Sequence, residues 1–202
     1  MGTYFTFEEL DGNIGRITFD SPGKKVNTFG RPIVEELEKL VGELEKKNLK
    51  GLLFKSGKKE QFIAGADLNE LAALSYLPKE MLAQLSSHMH GLLTRVSKLP
   101  YPTVCLIDGP SMGGGTEFAL SMDYRVASTS PKTQIGLPEV KVGIIPGWGG
   151  TQRLPRVIGV HPALEMITSG EPVNAAKAVK IGLVFDAVPL DQMEAVGRSV
   201  ID

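Results

Sequence analysis

Two carboxylates in this 202-residue sequence lie in apolar company near glycine-rich turns. Glu117 follows the run Ser111-Met112-Gly113-Gly114-Gly115-Thr116 and precedes Phe118, Ala119 and Leu120, and Glu139 lies in Gly136-Leu137-Pro138-Glu139-Val140. A carboxyl group in apolar surroundings has a raised pKa and can hold or release a proton near neutrality. The ordinary reading of either acid alone is a solvated side chain. Together at one reacting centre they would form a general acid and a general base, a convergence that spacing does not establish.

The glycine run fits three readings. Glycines at a helix start expose backbone N–H groups which, with the positive end of the helix dipole, stabilise a developing oxyanion. The same stretch, Gly109-Pro110-Ser111-Met112-Gly113, satisfies G-x-S-x-G between a strand and a helix, the pattern of a nucleophile elbow, with His161 the one histidine placed by chain order to act on Ser111. The third reading is a tight turn with close helix packing. A phosphate loop is not supported, because no Lys-Ser or Lys-Thr follows and the third glycine of G-x-G-x-x-G is absent.

A second small-residue turn occurs at Phe62-Ile63-Ala64-Gly65-Ala66-Asp67-Leu68-Asn69-Glu70. Asp67 and Glu70 have the spacing of a capping box, which places the Ala66 N–H at a helix entrance, and a capped helix is the plain alternative. His88 and His90 are two apart on a helix and diverge, whereas helical zinc pairs use i, i+4 spacing, so no metal site is expected. Trp148, in Pro146-Gly147-Trp148-Gly149-Gly150, reads as packing under a loop or bordering a pocket.

These groups are carried by alternating elements. Strand-like runs at 15–19, 50–55, 103–107 and 124–127 alternate with amphipathic helices at 31–47 and 78–97. The first helix has the stripe Ile33, Val34, Leu37, Leu40, Val41 and Leu44; the second has Met81, Leu85, Met89, Leu92, Leu93 and Val96 and stops before Leu99-Pro100-Tyr101-Pro102. A short helix is expected over about 115–122, a structured loop over 137–150, and a helix opening near 191. Alternation of this kind specifies an α/β fold around one core.

Charge is balanced, with 22 Lys and Arg against 23 Asp and Glu. No basic stripe exists to hold nucleic acid. No 18-residue apolar run or signal segment occurs, so the expected setting is soluble, intracellular and cytoplasmic in a bacterial type of cell. Cys105, the single cysteine, sits in the apolar run 103–107 and reads as a buried thiol.

FIAGADLNEL (62–71), DGPSMGGGTEFAL (108–120) and IGLPEVKVGIIPGWGGTQRLPRVIG (135–159) together resemble the enoyl-CoA hydratase/isomerase, or crotonase, superfamily, most of all the hydratase half of multifunctional fatty-acid oxidation α-subunits. The resemblance implies a spiral of β-β-α turns. It implies Ala66 and Gly114 as oxyanion donors and Glu117 and Glu139 as the acid and base of enoyl-CoA hydration. It also implies that Ala64, Gly65, Asp67, Leu68, Gly113 and Pro138 border the acyl-CoA, with Δ3,Δ2-enoyl-CoA isomerisation as a side activity. No cofactor is implied beyond the coenzyme A of the substrate. The partners implied are an acyl-CoA thioester and a homotrimer or larger β-oxidation complex. Residues 1–202 are expected to form one hydratase/isomerase-like domain, truncated before the C-terminal helices that close the acyl pocket in relatives, and a non-catalytic CoA-binding or assembly fragment is the other reading of such a chain. Thr116 stands where many relatives carry Cys or Leu, and Trp148 where Ala or Phe is common.

Overall fold

The computed structural model describes residues 2–66, 73 and 76–202. In chain order its elements are β1 (Phe5–Leu10), β2 (Ile14–Phe19), α1 (Arg31–Leu44), β3 (Gly51–Ser56), α2 (Lys79–Val96), β4 (Thr103–Ile107), β5 (Ser111–Met112), α3 (Gly114–Ala119), β6 (Tyr124–Ser128), β7 (Gln134–Gly136), a 3₁₀ turn (Pro138–Val142), α4 (Gly150–Ile158), α5 (Val160–Ser169), β8 (Val173–Asn174), α6 (Ala175–Lys180), β9 (Asp186–Val188) and α7 (Met193–Ile201). The capping box expected at Asp67 and Glu70, and Leu68 with it, lie outside the described residues.

A six-stranded sheet runs β1-β2-β3-β4-β6-β9, antiparallel at β1-β2 and parallel elsewhere. A smaller sheet, β5-β7-β8, is extended past β5 by parallel bridges from Ser111 to Ile63 and from Ala66 to Phe29. The chain alternates between the two. It leaves β2 for Phe29 and then forms α1; it leaves β3 for the 63–66 segment and later forms α2; it leaves β4 for β5 and forms α3; it leaves β6 for β7, returns through β8 and forms α6 before β9. Each circuit is thus a large-sheet strand, a small-sheet strand and a helix, which is the β-β-α spiral expected from the sequence.

The central strands are apolar along their length because both faces are covered, the usual pattern of parallel sheets. In β4, Cys105 and Ile107 join the main core while Val104 and Leu106 face a second cluster under α7. Close packing there needs two glycines: a β-carbon on Gly51 would fall 2.4 Å from Ile201 Cγ2, and one on Gly197 2.9 Å from Leu106 Cδ2. The main core is built around packed aromatics, with the Phe118 ring of α3 tilted against Phe54 and Phe29 at 4.6 and 5.6 Å between ring centroids. Burial of this aromatic cluster fixes the helix that carries Glu117.

The stripe of α1 is buried at Ile33, Leu37, Val41 and Leu44. That of α2 is buried only from Met89 onward; Met81 and Leu85 are 46% and 44% exposed, so the apolar residues of its first two turns do not join the core. No described helix is long and apolar enough to cross a membrane.

Candidate active site

The small sheet delivers three segments to one place. Residues 63–66, the Gly113-Gly114 turn after β5 and the Pro138–Val142 turn after β7 occupy equivalent positions in successive circuits of the spiral. The first two run side by side: Ile63 N–H donates to Pro110 O at 3.1 Å and Met112 N–H to Ile63 O at 3.0 Å. A β-carbon on Gly65 would lie 3.2 Å from Met112 O, and one on Gly115 2.6 Å from Ile63 O.

The three glycines have three separate reasons. Gly113 has φ 51 and ψ −123, a conformation that side chains rarely adopt, and donates its N–H to Gly136 O at 3.0 Å. Gly114 leaves room for the Trp148 ring, whose Cζ3 would be 2.4 Å from a β-carbon there. Gly115 leaves room for the Ile63 backbone. Packing therefore accounts for the run. Neither Ala66 N–H nor Gly114 N–H has an acceptor among the described residues.

Glu117, on the first turn of α3, is 2% exposed. Its Oε1 accepts from Trp148 N–H at 2.8 Å and from Gly150 N–H at 2.7 Å. Burial pushes its pKa up, against the opposing pull of those two donors and of the Arg153 charge. The loop expected at 137–150 is therefore one turn of 3₁₀ helix followed by a wrap around this carboxylate. Gly149, at φ 106, lets the wrap close. Arg153 ties it from α4, donating from Nη1 to Trp148 O at 2.8 Å.

Glu139, on the 3₁₀ turn begun by Pro138, is 9% exposed. Burial raises its pKa to about 7, with repulsion from Glu117 adding to the rise. Its Oε2 is buried without a hydrogen-bond partner, and its Oε1 lies 3.0 Å from where a Gly113 β-carbon would be. The two carboxyl groups thus lie by the same glycine turn in contrasting environments, one held by two N–H donors and the other with a buried oxygen left unpartnered.

Of the other sequence-based candidates, Ala64 is exposed, while Gly65 and Gly113 are buried in the paired turns. Asp67 and Leu68 lie outside the described residues. Ser111 is fully buried, and its hydroxyl lies 3.3 Å from Thr116 Oγ1, which donates to Ser111 O at 2.7 Å. No histidine bonds it among the described residues, so the elbow reading has no base at hand. His88 faces Glu38 at 3.5 Å and His90 lies against Gly149. The Trp148 ring is half-buried, 5.7 Å edge-on to Phe29. The sequence reading did not anticipate the two N–H donors to Glu117 or Arg153: backbone donors have no residue signature, and Arg153 lies on the following helix.

The enoyl-CoA hydratase/isomerase family model matches residues 9–202. The α subunit of the fatty acid oxidation complex of Aliivibrio fischeri is 42% identical over 188 residues, which are 92% of this chain and 27% of that protein. The chain therefore spans about a quarter of the length of that curated relative. Among solved structures, enoyl-CoA hydratase from Bacillus anthracis superposes with a TM-score of 0.87 at 31% identity, covering 98% of this chain and 75% of that one. Enoyl-CoA hydratase from Thermoplasma volcanium superposes at 0.86 and 30% identity, covering 100% and 77%. With the spiral topology, the paired turns and the family match over nearly its whole length, the chain belongs to the enoyl-CoA hydratase/isomerase family.

Proposed function

We propose that the chain adds water to trans-2-enoyl-CoA thioesters, forming 3-hydroxyacyl-CoA. The Ala66 and Gly114 N–H groups receive the thioester oxygen and stabilise the enolate-like charge that forms as Cβ is attacked. Ala64, Gly65, Asp67, Leu68, Gly113 and Pro138 border the bound thioester. Glu117, ionised, takes a proton from the attacking water. Glu139, protonated, delivers a proton to Cα. The bonds balance: water supplies the hydroxyl at Cβ and one proton to Glu117, Glu139 supplies the proton at Cα, and proton return from Glu117 to Glu139 through solvent resets the pair. No metal or redox group is needed for this addition, and coenzyme A enters as part of the substrate.

The observation that carries this reading is the contrast between the two glutamates. Titratable groups whose surroundings push them toward opposite protonation states mark an acid and base pair. Burial pushes both carboxyls up; two N–H bonds and the Arg153 charge pull Glu117 back toward the carboxylate, whereas Glu139 keeps a buried, unpartnered oxygen, which favours the acid. The test is loss of the enoyl-thioester absorbance of crotonyl-CoA, which should proceed with the parent chain and stop in Glu117→Gln and in Glu139→Gln. Retention of the parent activity by either variant would refute the assignment.

Isomerisation of Δ3 to Δ2 double bonds is the second reading, favoured by the free oxygen of Glu139, which alone suffices to move a proton between two carbons of one substrate. It predicts that Glu117→Gln isomerises 3-enoyl-CoA while failing to hydrate. A β-oxidation setting is supported by the name of the Aliivibrio relative, and we place this chain as the hydratase part of a longer multifunctional protein, in a homotrimer or a larger complex.

A further inference from the structure

We infer that Arg153 is a positioning residue for this reaction, holding the 148–150 turn around Glu117 so that the carboxylate stays an oriented acceptor. The inference rests on the hydration reading for its catalytic consequence and on geometry for its physical one. Arg153 sits on α4 and its guanidinium is clamped at two points, Nη1 to Trp148 O at 2.8 Å and Nη2 to Thr94 Oγ1 of α2 at 3.4 Å. Gly149 is what lets it reach: a β-carbon there would fall on Nη1. Trp148 therefore has its carbonyl bound by Arg153 while its N–H binds Glu117, and Gly150, two residues on, supplies the second donor.

The arginine acts through the turn and by its charge. Among the described residues, the charged and titratable groups set around Glu117 are Arg153 from α4, Glu139 from the 3₁₀ turn and His90 of α2 beside Gly149. Of these Arg153 is the fixed cation, and burial costs its guanidinium solvation, so its charge acts in a poorly solvated setting. Removing it takes away a stabilising charge and frees the turn that presents the two N–H donors. Both changes disfavour the ionised form of Glu117.

The experiment compares parent, Arg153→Gln and Arg153→Lys in two ways. The first follows the side-chain carboxyl of Glu117 by ¹³C NMR against pH, its resonance assigned by its loss in Glu117→Gln; this needs no activity. The midpoint should move up by about one unit in Arg153→Gln and stay near the parent in Arg153→Lys, which keeps the charge. The second measures crotonyl-CoA hydration against pH: kcat/KM should fall about tenfold or more in Arg153→Gln, with its acidic limb moved the same way. In Arg153→Lys, kcat should fall while the limb stays, because an ammonium does not reproduce the guanidinium fork. A Glu117 midpoint unchanged in Arg153→Gln overturns the inference. Should that variant not fold, Arg153→Lys decides, and parental kcat in it overturns the inference. A parent chain that shows no hydration while its Glu117 midpoint shifts as expected refutes the hydratase reading and leaves the positioning role standing.

Discussion

Trp148 bridges the two halves of the site: its ring fills the space a β-carbon on Gly114 would occupy, 2.4 Å from Cζ3, while its N–H donates to Glu117 Oε1 at 2.8 Å. The residue that requires Gly114 to be glycine also presents a donor to the carboxylate one turn along the same helix.

Replacing Gly114 by alanine should therefore cost about 1–3 kcal/mol of stability by overpacking, and should do so through Trp148. Urea denaturation of Gly114→Ala, Trp148→Ala and the double variant reads the coupling. The cost of the methyl group should shrink once the ring is gone. Equal costs in both backgrounds would show that the helix start is fixed by something other than this contact.

Arg125, which is buried, is a second arginine with a structural task. It donates to Leu183 O at 2.7 Å and to Met122 O and Ala119 O at 2.8 and 3.2 Å, tying the end of the helix that carries Glu117 to the segment before β9. Arg125→Met removes the arginine donor from the Leu183 and Met122 carbonyls, while Ala119 O keeps the Met122 N–H, and should destabilise the fold by about 3 kcal/mol or more. Chemical denaturation measures this; a loss within experimental scatter would mean the carbonyls find other donors.

Glu139 gives a pH signature in stability. Its carboxyl is raised from an ordinary 4.5 to about 7 by burial, so the folded chain holds a proton that the unfolded chain releases. The folded state is therefore penalised progressively as pH rises from about 4.5 through about 7, and the penalty is complete above that. Glu139→Gln stays neutral throughout, so its melting temperature relative to the parent should rise across that window. A constant difference from pH 4 to pH 8 would be inconsistent with a buried proton on Glu139.

Much of this architecture is legible in the sequence because its signals are long. The strand 103–107 and the helix at 79–96 fall where the sequence pattern places them, since four consecutive apolar residues or five helical turns average out local noise. The small-sheet strands do not: β5 and β8 are two residues each, too short for alternation to register, and they pair through contacts between circuits of the spiral. The first helix ends at Leu44 rather than near Lys47, because the chain turns back through Lys46 and Lys47 to enter β3. In the site, the glutamates and glycine turns stand out by composition, while the donors to Glu117 are backbone groups of a loop and Arg153 lies on the next helix, brought to the site by tertiary contacts with Trp148 and Thr94.

The pH profile of catalysis should follow the same contrast between the acids. Hydration needs Glu117 ionised and Glu139 protonated, so kcat/KM for crotonyl-CoA should be bell-shaped, its alkaline limb set by Glu139 near about 7. Glu139→Gln should remove that limb from whatever activity remains. An alkaline limb that persists in this variant would assign it to another group.

The account's central claim is that Glu117 and Glu139 act as one acid and base pair on an enoyl thioester held by the Ala66 and Gly114 N–H groups. The direct measurement is the initial rate of absorbance loss with crotonyl-CoA for the parent, Glu117→Gln and Glu139→Gln, with folding of each checked by circular dichroism. Each substitution should lower the rate by roughly 10²–10⁴-fold with the fold intact. A folded variant of either kind that hydrates crotonyl-CoA at the parent rate would contradict the claim.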